Sequence, residues 1–126
     1  NTFGDGTLTT YSDVYKWIHS DDDRIKEFDE YFNKRIGEIS KNENRVVIDM
    51  TMMSLSSRRN MLNRFGNFNR SCVVMYTDTD TINERNRYRN ETEGKNIPDY
   101  VFLNMSKSFV YPVVEEGFFN IKLVIN

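Results

Sequence analysis

Arg85 and Arg89 stand four residues apart in a stretch that reads as a helix. At that spacing both guanidiniums share one face and can reach a single polyphosphate. The alternative is a solvated helix on which they pair with Glu84, Glu91 and Glu93. They close a segment, Arg58 to Arg89, that holds seven arginines and no lysine against Asp78, Asp80 and Glu84. Forked guanidiniums suit bidentate phosphate contacts, although a solvated face with i,i+4 pairs needs the same residue types. Asp49 ends the apolar run Val46-Val47-Ile48, and ligands of open α/β sheets gather just beyond the carboxyl ends of strands. A carboxylate there can accept a hydrogen bond from a substrate hydroxyl, or can cap the Thr51–Ser57 loop.

Other reactive side chains read as structural. His19 is the single histidine and Cys72 the single cysteine, so a multi-histidine metal site, a cysteine zinc site and an internal disulfide are all excluded. Cys72 lies inside an apolar run and reads as core, and Met50, Met52 and Met53 read as pocket wall. Asp21, Asp22 and Asp23 are consecutive at a helix start, so they point around the axis and cap it instead of converging on a metal. The sequence contains no G-x-x-x-x-G-K-[ST], no G-x-G-x-x-G and no Ser/His/Asp set. Phe3-Gly4-Asp5-Gly6 has neither a preceding strand nor a following Lys-Ser/Thr and is not a phosphate loop.

The elements that position these residues follow from periodicity. Residues 1–20 read as irregular, with one or two amphipathic turns at Val14, Trp17 and Ile18. Ile25, Phe28, Phe32, Ile36 and Ile39 recur at helical spacing and predict a helix from Asp21 to Ser40, with Ser20 and Asp23 as a capping box. Lys41–Asn44 is a turn, and Val46–Ile48 reads as a strand buried on both faces. A short helix carries Met61, Leu62 and Phe65 up to Gly66; Cys72–Tyr76 is a second buried strand. Thr79 or Asp80 caps a polar helix over Thr81–Asn90, a loop covers Glu91–Asn96, and Pro98 opens a helix through Ser108. Phe118–Ile125 is a third strand. This order predicts one α/β domain over residues 1–126 with a largely parallel sheet and flanking helices.

Composition sets the outer bounds. A chain of 126 residues suffices for one core. With 38% hydrophobic and 29% charged residues it has the balance of a globular protein. No apolar run approaches the ~20 residues of a membrane span, and Asn1–Gly6 lacks the basic and apolar regions of a signal peptide. A net charge of −2 argues against coating nucleic acid by bulk charge. Alanine and glutamine are absent and asparagine, isoleucine and tyrosine abundant, as AT-rich coding genomes such as those of many phages produce.

The order of motifs resembles the P-loop kinase domain of phage-type 5′-polynucleotide kinases. Arg45-Val-Val-Ile-Asp-Met-Thr51 is similar to that family's strand ending in Asp-x-Thr, and Arg58-Arg59 stands where the family has a paired arginine opening the next helix. Glu84-Arg85-Asn86-Arg87-Tyr88-Arg89 resembles the lid signature Arg-Asn-x-x-Arg. Ile97-Pro98, Phe109, Pro112 and Glu116-Gly117-Phe118 continue the series, and the likeness covers about three quarters of the chain. Met52 departs from it, since the family commonly has asparagine after the threonine.

The resemblance implies a kinase that transfers the γ-phosphate of ATP, with Mg²⁺, to a hydroxyl, foremost the 5′-OH of a polynucleotide. It implies Arg85 and Arg89 as lid arginines on the ATP phosphates, and Asp49, Thr51 and Arg58 on the acceptor side. The family's first strand and Walker A loop have no counterpart in this sequence, and Asp22-Asp23-Arg24 stands too close to Asp49, only 26 residues from Asp23, to be its Asp-Asp-x-Arg segment. That first strand is central in the family's sheet, so its neighbours are expected to expose unpaired edges and apolar faces. The expectation is a fold missing its central strand, with the phosphate loop and general base supplied by a missing segment or a second polypeptide. The alternatives are a non-catalytic nucleotide- or nucleic-acid-binding subunit and a nucleoside or sugar kinase of the same family. The cytoplasm of a bacterial or phage-infected cell is the implied location.

Overall fold

The structure, a computed structural model, describes residues 11–126, with no description of the side chains of Tyr11 and Ser12. The reading of Asn1–Thr10 as irregular lies outside the described residues. The order is α1 (Tyr11–His19), α2 (Asp22–Asn42), α3 (Leu55–Arg64), β1 (Ser71–Tyr76), α4 (Thr79–Glu93), α5 (Asp99–Ser108), a 3-10 turn (Val114–Glu116) and β2 (Asn120–Ile125). Two compact units divide the chain, Asn1–Asn42 with Arg85–Asn96, and Glu43–Glu84 with Ile97–Asn126.

In the first unit, the amphipathic turns expected at Val14, Trp17 and Ile18 form the nine-residue α1, in which Ile18 is buried at 7% exposure. The corner into α2 is held by Arg24. Its guanidinium lies 4.3 Å from the centroid of the Trp17 ring and its Nη1 donates to the Trp17 carbonyl at 2.9 Å. The expected Ser20/Asp23 capping box is corrected by one position. Asp21 Oδ1 accepts from the backbone N–H of Asp23 and of Arg24, while the Ser20 hydroxyl donates to the Trp17 carbonyl. A carboxylate is acceptor-only and outcompetes a neighbouring hydroxyl for the orphan amides of a helix start. The apolar stripe of α2 is half-buried at Ile25, Phe32, Ile36 and Ile39 and exposed at Phe28.

The second unit contains the sheet. β1 and β2 pair in parallel, with Ser71 opposite Asn120 and Tyr76 opposite Ile125. Parallel pairing needs a crossover between the strands, and α4 and α5 fall within it. The Phe119 N–H donates to the Arg70 carbonyl and the Asn126 N–H to the Tyr76 carbonyl, which extend the pairing at both ends. The α/β class and the parallel pairing agree with the sequence reading, as do the places of the second and third strands. Their burial does not: Val73, Met75, Tyr76, Leu123 and Ile125 are each about half exposed or more.

The expected strand at Val46–Ile48 is also corrected. The backbone there joins no ladder and Val47 is 94% exposed. Strand formation depends on a pairing partner as much as on side-chain type, and a three-residue apolar run does not carry its own. Helix α3 begins at Leu55, earlier than the apolar positions suggest, because Ser54 in extended backbone accepts the Ser57 N–H at 3.2 Å. Among the described residues no helix is long and apolar enough to cross a membrane.

Candidate functional site

Arg58 is the buried polar residue of the second unit, 4% exposed. Its Nε donates to Glu116 Oε1 at 2.7 Å and its Nη2 to Glu116 Oε2 at 3.1 Å, a bidentate fork-on-fork ion pair. Its Nη1 donates to the carbonyls of Met53 at 3.1 Å and Met52 at 3.3 Å. Glu116 Oε2 also accepts the Val113 N–H at 2.9 Å, and the Glu116 side chain is only 6% exposed. These donors hold the Glu116 carboxyl below its ordinary value of 4.5, the Arg58 hydrogen bonds contributing most.

Next to this pair the chain turns tightly. The Met52 N–H donates to the Met50 carbonyl at 2.9 Å and the Met53 N–H to the Thr51 carbonyl at 3.0 Å, two successive three-residue turns. The Met53 carbonyl accepts a second hydrogen bond, from the Val110 N–H at 2.9 Å. Asp49 and Thr51 lie on this folded loop and are exposed, and their side chains make no hydrogen bond among the described residues. Asp49 therefore does not cap the Thr51–Ser57 loop, and Ser54 caps the helix that follows. Gly117 ends the 3-10 turn at φ +107, a left-handed conformation that favours glycine. A Cβ there would also stand 2.8 Å from Arg70 Nη2.

Cys72, on β1, has its thiol pushed up from the ordinary value of 9.0, mainly by burial. Its side chain is only half-buried, so the fully enclosed core position expected from sequence is not formed there.

The arginine helix has a different character. Asp78 caps α4, one residue before the expected Thr79 or Asp80. Its Oδ1 accepts the Thr81 N–H at 2.9 Å and its Oδ2 the Thr81 hydroxyl at 2.7 Å, which lower its carboxyl below the ordinary 3.8. Beyond the cap, Arg85, Arg87 and Arg89 are exposed. Among the described residues their side chains form no ion pair or hydrogen bond, so the alternative pairing with Glu84, Glu91 and Glu93 is not made. One turn apart on a continuous helix, Arg85 and Arg89 present two unpaired cations on one face.

The expected site residues therefore sort into two groups. Asp49, Thr51 and Arg58 belong to the second unit, where Arg58 is joined to the loop that carries the other two. Arg85 and Arg89 belong to the first. Sequence reasoning placed Glu116 in its motif series and assigned it no role. The missing signal is its pairing with a residue 58 positions away, which no local pattern encodes.

A family model for the AAA domain matches residues 10–112, most of the chain. The chain belongs to the AAA-domain family. That family is P-loop NTPase-like and includes nucleotide-binding kinases, in agreement with the sheet and helices described above. AAA-type P-loop domains generally bind ATP with Mg²⁺. The residues of this AAA-domain chain fit that pair unequally. Phosphate oxygens suit Arg85 and Arg89. No group of three or more His, Cys, Asp or Glu among the described residues could hold a metal ion, and the sequence has no Walker A Lys-Ser/Thr.

Proposed function

We propose that this chain is part of an ATP-dependent phosphotransferase acting on a hydroxyl, with the 5′-OH of a polynucleotide as the leading acceptor. The observation that carries the reading is the pair of unpaired arginines, Arg85 and Arg89, one turn apart in a chain of the AAA-domain family. Phosphoryl transfer is chiefly positioning and charge stabilisation, and arginines aimed at the phosphates are a recurrent means of both. In this reading Arg85 and Arg89 bind the ATP phosphates and offset the charge that builds on the leaving ADP. Asp49 and Thr51, exposed on the folded loop, bind or orient the acceptor hydroxyl. Arg58 contributes by holding that loop in shape.

The acceptor oxygen bonds to the γ-phosphorus as the bond to the bridging oxygen breaks, and that electron pair leaves with ADP. The acceptor proton passes to a base that, with the phosphate loop and the site for Mg²⁺, is supplied from outside these residues. A preceding segment or a second polypeptide is the proposed source. The exposed apolar faces of β1 and β2 and the unladdered Val46–Ile48 support this, since a parallel sheet is ordinarily covered on both faces.

The test is transfer of labelled γ-phosphate from ATP by the natively purified protein, with co-purifying chains retained and identified by native mass spectrometry. The acceptors would be a 5′-OH oligonucleotide, its 5′-phosphorylated form, a nucleoside and a sugar. Label on the 5′-OH oligonucleotide alone is the expected result. Transfer to the nucleoside or sugar would redirect the reading to a small-molecule kinase. ATP binding without transfer to any acceptor would replace it with a non-catalytic binding subunit, which the lack of a Walker A sequence favours.

A further inference from the structure

We infer that Glu116 is a positioning residue for the acceptor side of the site, acting through Arg58 on the Asp49–Met53 loop; this rests on the phosphotransfer reading. The Arg58 guanidinium ties the backbone just before its own helix to Glu116, a residue 58 positions away. Arg58 sits in the first turn of α3, its Nε and Nη2 occupied by both carboxylate oxygens of Glu116 and its Nη1 by the Met52 and Met53 carbonyls. Glu116 is in turn fixed by the Val113 N–H, and the Val110 N–H reaches the Met53 carbonyl from the same connection. The loop bearing Asp49 and Thr51 is thus tied, through Arg58 and the Val110 N–H, to the segment that leads into β2.

Net stability alone is a weak explanation for such an arrangement, because burying two charges costs about as much as their attraction returns. What a guanidinium adds is geometry. Its donors lie in a fixed planar fork, so one side chain can satisfy a carboxylate and two backbone carbonyls at set angles. The Met52 and Met53 carbonyls are held by that fork, while the exposed side chains of Asp49 and Thr51 remain without hydrogen bonds among the described residues. Rigid backbone under unengaged polar side chains is the arrangement that pre-sets acceptor-binding groups. Lysine cannot replace the fork, and glutamine cannot replace the second acceptor oxygen.

The experiment compares the natively purified protein with Glu116→Gln, Glu116→Asp and Arg58→Lys, by amide hydrogen exchange and by steady-state kinetics. In Glu116→Gln the amides of Met52, Met53, Val110 and Val113 should exchange at least tenfold faster, while those of β1 and β2 keep their parental rates. KM for the 5′-OH oligonucleotide should rise about tenfold with KM for ATP unchanged. Arg58→Lys should behave likewise, and Glu116→Asp should recover part of the loss. Exchange that rises equally in β1 and β2 would make the pair a general stabiliser and overturn the inference, as would unchanged exchange in the loop. Should the parental protein transfer no phosphate, the phosphotransfer reading fails, and loop-confined exchange then upholds the clasp alone.

Discussion

Arg58 and Arg89 are the same residue type in the same arginine-rich stretch, yet they have opposite fates. Arg58 is 4% exposed and all three of its guanidinium nitrogens donate, to Glu116 and two backbone carbonyls. Arg89 stands exposed on α4 with no ion pair among the described residues. A guanidinium whose donors are taken by protein acceptors shapes backbone. One whose donors are left over is open to solvent and to an external anion, the role proposed for Arg89. Charge counting along the sequence cannot tell the two apart, because each contributes one positive charge to the same segment.

The comparison breaks most visibly at Arg89. Arg89→Ala should lower turnover by about 10³-fold or more, in the range of arginines that stabilise a transferring phosphoryl group. The folded state should change by no more than ~0.5 kcal/mol, as at other exposed positions. Steady-state kinetics beside thermal unfolding would check both halves. Arg87→Ala, off the face shared by Arg85 and Arg89, is the control that sharpens the assignment.

Arg58 and Glu116 should show the reverse, with the loss in stability. Glu116→Ala leaves a buried guanidinium unpaired and should cost about 3–5 kcal/mol by denaturant unfolding. Arg58→Met with Glu116→Leu should recover most of that stability, since well-packed apolar pairs commonly match buried ion pairs. It should not restore slow exchange at Met52 and Met53. The pair also has a pH signature. Glu116 has its folded-state pKa lowered below 4.5, so its contribution is complete above that value and is lost as pH falls through the depressed one. Unfolding followed from pH 7 to pH 3 should show the advantage of the parental chain over Glu116→Gln shrinking only in the acid range. An advantage that shrinks instead between pH 5 and 7 would contradict the assignment.

The smallest effect belongs to the cap beside the clasp. Ser54→Ala removes the acceptor of the Ser57 N–H and should cost about 1 kcal/mol, read by thermal unfolding, with no change in ATP affinity.

The same contrast explains how far the sequence could be read. The helical stripe of α2, the polar helix bearing Arg85 and Arg89, the start of α5 after Pro98, and the runs that became β1 and β2 all rest on local periodicity. Each appears within a few residues of its expected place. The caps moved by one residue where an aspartate stood beside the expected capping residue, since Asp21 and Asp78 accept the amides instead. The failure at Val46–Ile48 is of another kind. A strand is a relation between segments, and Val47 at 94% exposure has no such relation among the described residues. The unread role of Glu116 is non-local too: its carboxylate answers Arg58 across 58 positions, and neither residue's neighbours announce it. Arg85 and Arg89 could be placed on one face from spacing alone, but whether their charge was already neutralised was not legible there.

The central claim is that α4 carries phosphate-binding arginines, and calorimetric titration of ATP into the natively purified protein tests it most directly. Against the parental protein, the Arg85→Ala/Arg89→Ala double variant should bind ATP about 10- to 100-fold more weakly, as expected for the loss of two charge-assisted contacts, with unfolding unchanged. ATP affinity equal to that of the parental protein would contradict the claim.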